Sequence, residues 1–98
     1  MSYYVSLKDE VRRIISDWRL SPSMIRAVLD GLDTLRTNPA EKLIRIGPPY
    51  DVMQYDVTVP DPDNDFLSTM FTFTVKYSVD EETLQVVDCE RMGPELND

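Results

Sequence analysis

The 98-residue sequence has no histidine, one cysteine and three glycines, and each shortage removes a class of chemistry. Without histidine there is no Ser-His or Cys-His nucleophile pair. Cys89 has no base beside it in the chain, and its reading is a small apolar group buried in a strand. A lone cysteine also excludes an internal disulfide framework and suits a reducing compartment, so a cytoplasmic location is the expectation. Gly31, Gly47 and Gly93 lie too far apart to build a phosphate-cradling loop. Long apolar runs are missing as well. The opening MSYYVSLKDE carries charge by its eighth residue, and no segment approaches the length of a membrane span, so neither a secretory leader nor a membrane partner is expected.

Basic residues are scarce in one half only. The net charge is −8, which disfavours binding to nucleic acid backbone. Residues 1–45 carry eight basic residues against six acidic ones, whereas residues 46–98 hold Lys76 and Arg91 against twelve acidic residues. The first half is mildly basic and the second strongly acidic.

What the chain does have is a long alternating run. In Leu67–Val79 the odd positions Leu67, Phe71, Phe73, Val75, Tyr77 and Val79 are apolar, with Thr69 among them, and the even positions are mostly polar. That period of two predicts a central strand with one buried face, which a second layer must cover. The first half supplies the cover. Residues 2–5 read as a short strand, and Ser6 with Asp9 matches a helix-capping pattern. Leu7, Val11, Ile14, Ile15 and Trp18 then recur at helical spacing to about residue 19. Ser21-Pro22 starts a second helix bearing Met24 or Ile25, then Val28, Leu29, Leu32 and Leu35, which Thr37-Asn38-Pro39 stops. So short a turn between them predicts a helical hairpin. Gly31 inside the second helix costs about 1 kcal/mol against alanine, and close packing against a neighbour accounts for it.

Beyond Pro39 the pattern becomes strand-like. Leu43–Ile46 is a short strand candidate closed by Gly47-Pro48-Pro49, and a strand follows over 52–59. Residues 60–65 read as an acidic loop. Asp80-Glu81-Glu82 makes the next hairpin turn. The last strand, 83–89, has apolar residues on both parities, which points to an inner position or a bulge. Residues 93–98 read as a flexible tail after a single domain over 1–92. The fold class is α+β, ordered β-α-α-β-β-β, with the helical hairpin packed on a mostly antiparallel sheet. Its core joins the two apolar helix stripes to Phe71, Phe73, Val75 and Tyr77. Phe73→Ala is expected to cost about 3 to 5 kcal/mol, read as a lowered melting temperature.

No metal site or cofactor is expected. Asp61, Asp63 and Asp65 have the spacing that opens a calcium loop, but Phe66 replaces its glycine and Thr72 its bidentate glutamate. Trp18 lies on the apolar helical stripe and reads as core rather than as a base-stacking platform.

The element order, Tyr4 to Glu10 entering the first helix, the exit Leu35 to Pro39 and the hairpin Thr74 to Leu84 together resemble the RelE/ParE superfamily of bacterial toxins from toxin-antitoxin operons. The likeness spans about residues 3–92. In its ribonuclease branch, basic residues hold the phosphate of ribosome-bound message and a late basic or aromatic residue moves the proton. Carried onto this chain, that implies Lys42, Arg45, Lys76, Tyr77 and Arg91. Thr74 stands about where many members have arginine, however, and Asp88 and Glu90 flank the end of the last strand, where they repel phosphate. The expectation is therefore a protein-interaction domain without nuclease activity. A ribosome-dependent messenger endoribonuclease and an acidic domain of unrelated function are the alternatives. Family toxins are wrapped by an antitoxin segment. The acidic residues Asp51, Asp56, Asp80, Glu81, Glu82, Asp88 and Glu90 suit a basic or antitoxin-like protein partner on the sheet side, or serve solubility alone.

Overall fold

A computed structural model describes residues 2–45, 52–78 and 80–96. Strand β1 (Tyr4–Leu7) leads into helix α1 (Asp9–Asp17) and then helix α2 (Pro22–Asp33). A 3-10 turn (Thr34–Arg36), the one-turn helix α3 (Pro39–Lys42) and the two-residue strand β2 (Ile44–Arg45) connect these to three long strands. The long strands are β3 (Val52–Asp61), β4 (Asn64–Ser78) and β5 (Thr83–Leu96). They form one mixed sheet in the order β1-β5-β4-β3-β2. β1 runs parallel to β5 and every other neighbouring pair is antiparallel. This is a small α+β domain. The expected first strand joins the far side of β5, and the elements beyond expectation are the short helical turns into which the segment before β2 folds.

β4 is the middle strand because its odd positions cannot be left in water. Phe71, Phe73 and Val75 are fully buried, and Thr69 is nearly so. α1 lies against β5 and α2 against β3, so the two helices cover this face side by side. Val11 and Ile15 from α1 meet Val28 and Leu32 from α2 and Leu84 and Val86 from β5 in one cluster. Trp18 closes it, its ring 5.3 Å from that of Phe71. Ile14, Leu7 and Tyr77 pack at its margin, half-buried.

Several expectations are corrected. Ser6 does not cap α1: it continues β1, which begins and ends two residues later than the sequence suggests, and the cap position falls to Lys8 with no side-chain bond. The pairing of β1 with β5 draws Ser6 and Leu7 into the sheet. Leu29 is not core; it is 43% exposed on α2. The acidic loop shrinks, because β3 and β4 extend to Asp61 and Asn64 and leave Pro62-Asp63 as the turn. The Asp61 carboxylate accepts the Asp63 amide at 2.8 Å. The final strand runs on through Gly93 to Leu96, where Leu96 pairs with Leu67, in place of the expected tail.

Other expectations meet the structure directly. Ser21 caps α2, its hydroxyl accepting the Met24 amide at 3.3 Å. Gly31 sits where an added Cβ would lie 2.9 Å from a Val57 methyl, so close helix–strand packing requires it. The two-parity apolar pattern of the last strand has both of its suggested causes. β5 lies between β1 and β4, and the register slips so that Val75 faces Val86 while Thr74 faces Asp88, leaving Val87 as the extra residue. The Gly47-Pro48-Pro49 turn, Tyr50, Asp51 and Val79 lie outside the described residues.

Candidate interaction surface

Strand alternation puts the even positions of β4 on the face that the helices leave open. Met70, Thr72, Thr74 and Lys76 line its middle. Opposite Thr72 stand Asp56 on β3 and Glu90 on β5, and opposite Thr74 stand Gln54 and Asp88. With neighbouring strands about 4.8 Å apart, the Asp56 and Glu90 backbones face one another across roughly 10 Å, with a threonine between them. The bulge at Val87 restores Asp88 and Glu90 to this face after the strand has buried Leu84 and Val86 on the other. Asp56 accepts from Gln54 Nε2 at 3.1 and 3.3 Å, which holds its carboxylate along the strand. Asp88 Oδ1 takes the Cys89 amide at 2.9 Å.

Three of the seven acidic residues named from the sequence thus converge: Asp56, Asp88 and Glu90. Asp80, Glu81 and Glu82 cluster at the β4–β5 turn at the end of the sheet, where the Glu81 amide donates to Ser78 Oγ at 3.3 Å. Asp51 falls outside the described residues. Lys76 is the cation that β4 contributes to the open face, and it is exposed. Apolar side chains also reach solvent there. By register Tyr4, Met92 and Ile44 share the parity of this face, at 68%, 48% and 58% exposure.

The residues that a nuclease would need are scattered. The Lys42 ammonium donates to the backbone carbonyls of Thr34 and Thr37, the latter at 2.8 Å, and so closes the 3-10 turn. Arg91 shares the helix side of β5, where Nη1 reaches the Trp18 carbonyl at 3.4 Å. Tyr77 has the same parity on β4 but lies six residues along the strand from Phe71, the neighbour of Arg91. Lys76 points the other way by alternation. Arg45, on β2, pairs through its backbone with Met53 on β3.

Tyr77 instead belongs to a second feature. Its ring stacks on Tyr3 with centroids 5.6 Å apart, and the two hydroxyls lie 3.3 Å apart. That hydrogen bond, with burial, pushes the Tyr77 hydroxyl above its ordinary value. The pair floors an open cleft of about 480 Å³ between the Asn38–Glu41 segment and Glu82. Nothing in the sequence announces it, because the partners are 74 residues apart. The roles of Thr72 and Thr74 as centres of the acidic rows were equally hidden, although their polar parity on β4 was visible. Cys89 is buried, and burial followed by the charge of Asp88 pushes its thiol up to about 11.

Among the described residues, no helix is long and apolar enough to cross a membrane. Comparison of the chain with protein-family models, with curated proteins and with solved structures finds no match.

Proposed function

We propose that this chain is a protein-interaction domain whose uncovered sheet face takes a basic segment of a protein partner. The observation that carries the reading is the placement of Asp56, Asp88 and Glu90 around Thr72 and Thr74 on one face that, among the described residues, no helix covers. Opposed charge of that kind chiefly raises the rate of encounter and selects partners. Exposed Tyr4, Met92 and Ile44 at its borders supply the apolar anchors that charge alone does not. The RelE/ParE resemblance is consistent with such a role, with the domain acting as a toxin-antitoxin component that lacks nuclease activity. Support for the missing activity is the dispersal of Lys42, Lys76, Tyr77 and Arg91, two of which donate to backbone carbonyls. A phosphoryl-transfer site needs its cations on one surface.

The test is capture of partners from the source organism at low and at high salt, with an Asp56→Lys/Glu90→Lys bait beside the wild type. The expected result is a basic protein held by the wild type at low salt, released at high salt and not retained by the charge-reversed bait. Exposed charges are screened over about 8 Å at physiological ionic strength, so steered binding must weaken with salt. Recovery of no partner at low salt, or equal recovery on both baits, would leave the acidic face as a solubility device.

A further inference from the structure

The edge of the sheet at β1 offers a separate surface. Tyr4 donates its amide to the carbonyl of Glu82, just before β5, at 2.9 Å, and Lys8 donates to that of Val86 on β5 at 3.0 Å. By the alternation of a parallel ladder, the amides and carbonyls of Val5 and Leu7 therefore point away from β5. The same outer edge is closed one step earlier, where the Tyr3 amide donates to the Arg36 carbonyl at 2.7 Å. Beside the open part runs an apolar groove between β1 and α2, formed by two adjoining hollows of about 140 and 280 Å³ that share Leu7 and Leu29. The first also has Val5 and Leu32 in its wall and ends at Asp33; the second has Ile15 and Ile25 and ends at Arg12. Leu29, 43% exposed, stands between them.

We infer that this edge pairs with a second copy of the same chain, β1 against β1, antiparallel about a two-fold axis at Ser6. Three features select that occupant. First, centring the pair on Ser6 sets each Val5 opposite its partner's Leu7, so the outward amides and carbonyls of both residues are satisfied reciprocally. Second, Val5 and Leu7 lie on the helix side by alternation, so pairing brings the two apolar grooves together around the two Leu29 side chains. Third, the groove has opposite charges at its ends. A two-fold axis through its middle lays Arg12 of each copy towards the Asp33 end of the other, as a self-complementary interface requires. Asp33 already takes Arg36 Nη1 at 3.5 Å, an exposed contact that leaves its second carboxylate oxygen available. The result is a sheet continuous across two molecules, with both acidic faces still open. It does not depend on the partner proposed above.

Sedimentation of the full chain from micromolar to millimolar concentration tests the inference. The expected result is a concentration-dependent dimer, weakened by about tenfold or more in Arg12→Glu and restored in Arg12→Glu/Asp33→Arg. Leu29→Glu should abolish it while leaving the circular dichroism spectrum unchanged, since the side chain is on the surface. Ser6→Cys supplies an independent reading. The two Ser6 residues form a non-hydrogen-bonded pair with Cα atoms about 4.5 Å apart, within disulfide range, so mild oxidation should link the dimer while wild type, with its buried Cys89, stays unlinked. A chain that stays monomeric throughout overturns the inference. So does a dimer that Arg12→Glu leaves intact or that Ser6→Cys fails to link. Protection of the Val5 and Leu7 amides only on adding a different protein assigns the edge to that protein instead, and also overturns it.

Discussion

Gly31 and Cys89 show how much of this fold turns on single side chains. At Gly31 two effects oppose one another: alanine favours the helix by about 1 kcal/mol, while its methyl would sit 2.9 and 3.0 Å from the two Val57 methyls. Valine is stiff about its first torsion, so the clash is relieved by moving strand or helix, and overpacking of this kind costs about 1 to 3 kcal/mol. Gly31→Ala should therefore destabilise by about 1 kcal/mol in urea unfolding. In a Val57→Ala background the same change should become neutral or stabilising, which a double-mutant cycle would read as coupling between the two sites. Cys89 gives a pH signature. Its folded value, about 11, stands above the ordinary 9.0, so its contribution to stability is complete below pH 9 and is lost as pH rises through 11. Unfolding followed between pH 8 and 11 should show falling stability that a Cys89→Ala protein shows to a lesser degree. Alkylation of the native thiol at pH 8 should be slow.

At the level of elements, the strands decide more than their residues announce. Phe71, Phe73 and Val75 make β4 central by burial alone, and that was legible as a period of two. The far end of β5 was not, because Gly93-Pro94 reads as a strand terminator. Gly93 adopts a φ of +109° that other residues rarely reach, and a Cβ there would come within 3.0 Å of the Ser68 carbonyl. The irregularity is absorbed between Ser68 and Met70, after which Glu95 and Leu96 rejoin the ladder opposite Ser68 and Leu67. Deleting residues 93–98 should accordingly lower the melting temperature by a few degrees, the equivalent of about 1 kcal/mol for a domain of this size. It should also speed hydrogen exchange at the Ser68 amide, on the side of β4 that faces β5. A truncated chain that melts and exchanges like the intact one would mean that this stretch adds no stability.

For the whole molecule, the arrangement of charge sets the expected behaviour. The cations named by the toxin resemblance are divided between the two sides of the sheet and the end of α3. Expression in a bacterium should therefore leave growth and messenger integrity unaffected. Growth arrest with message cleavage, abolished by Arg91→Ala, would instead establish an endoribonuclease and set aside the interaction reading.

The sequence by itself determined the periods. Helices α1 and α2, the Ser21 cap, the central strand and the acidic second half all follow from spacing, capping chemistry and composition, which act within a few residues of chain. Tertiary structure alone decided what depends on long-range pairing. Ser6 became strand because β5, nearly eighty residues later, offered it a ladder partner. Leu29, apolar and at helical spacing, was left at the surface because, among the described residues, the sheet ends at β1 and no element beyond it covers that side of α2. Asp56, Asp88 and Glu90 came to share one face because register and the bulge at Val87 set their parity. Register is a property of two strands together, and neither strand's own sequence contains it.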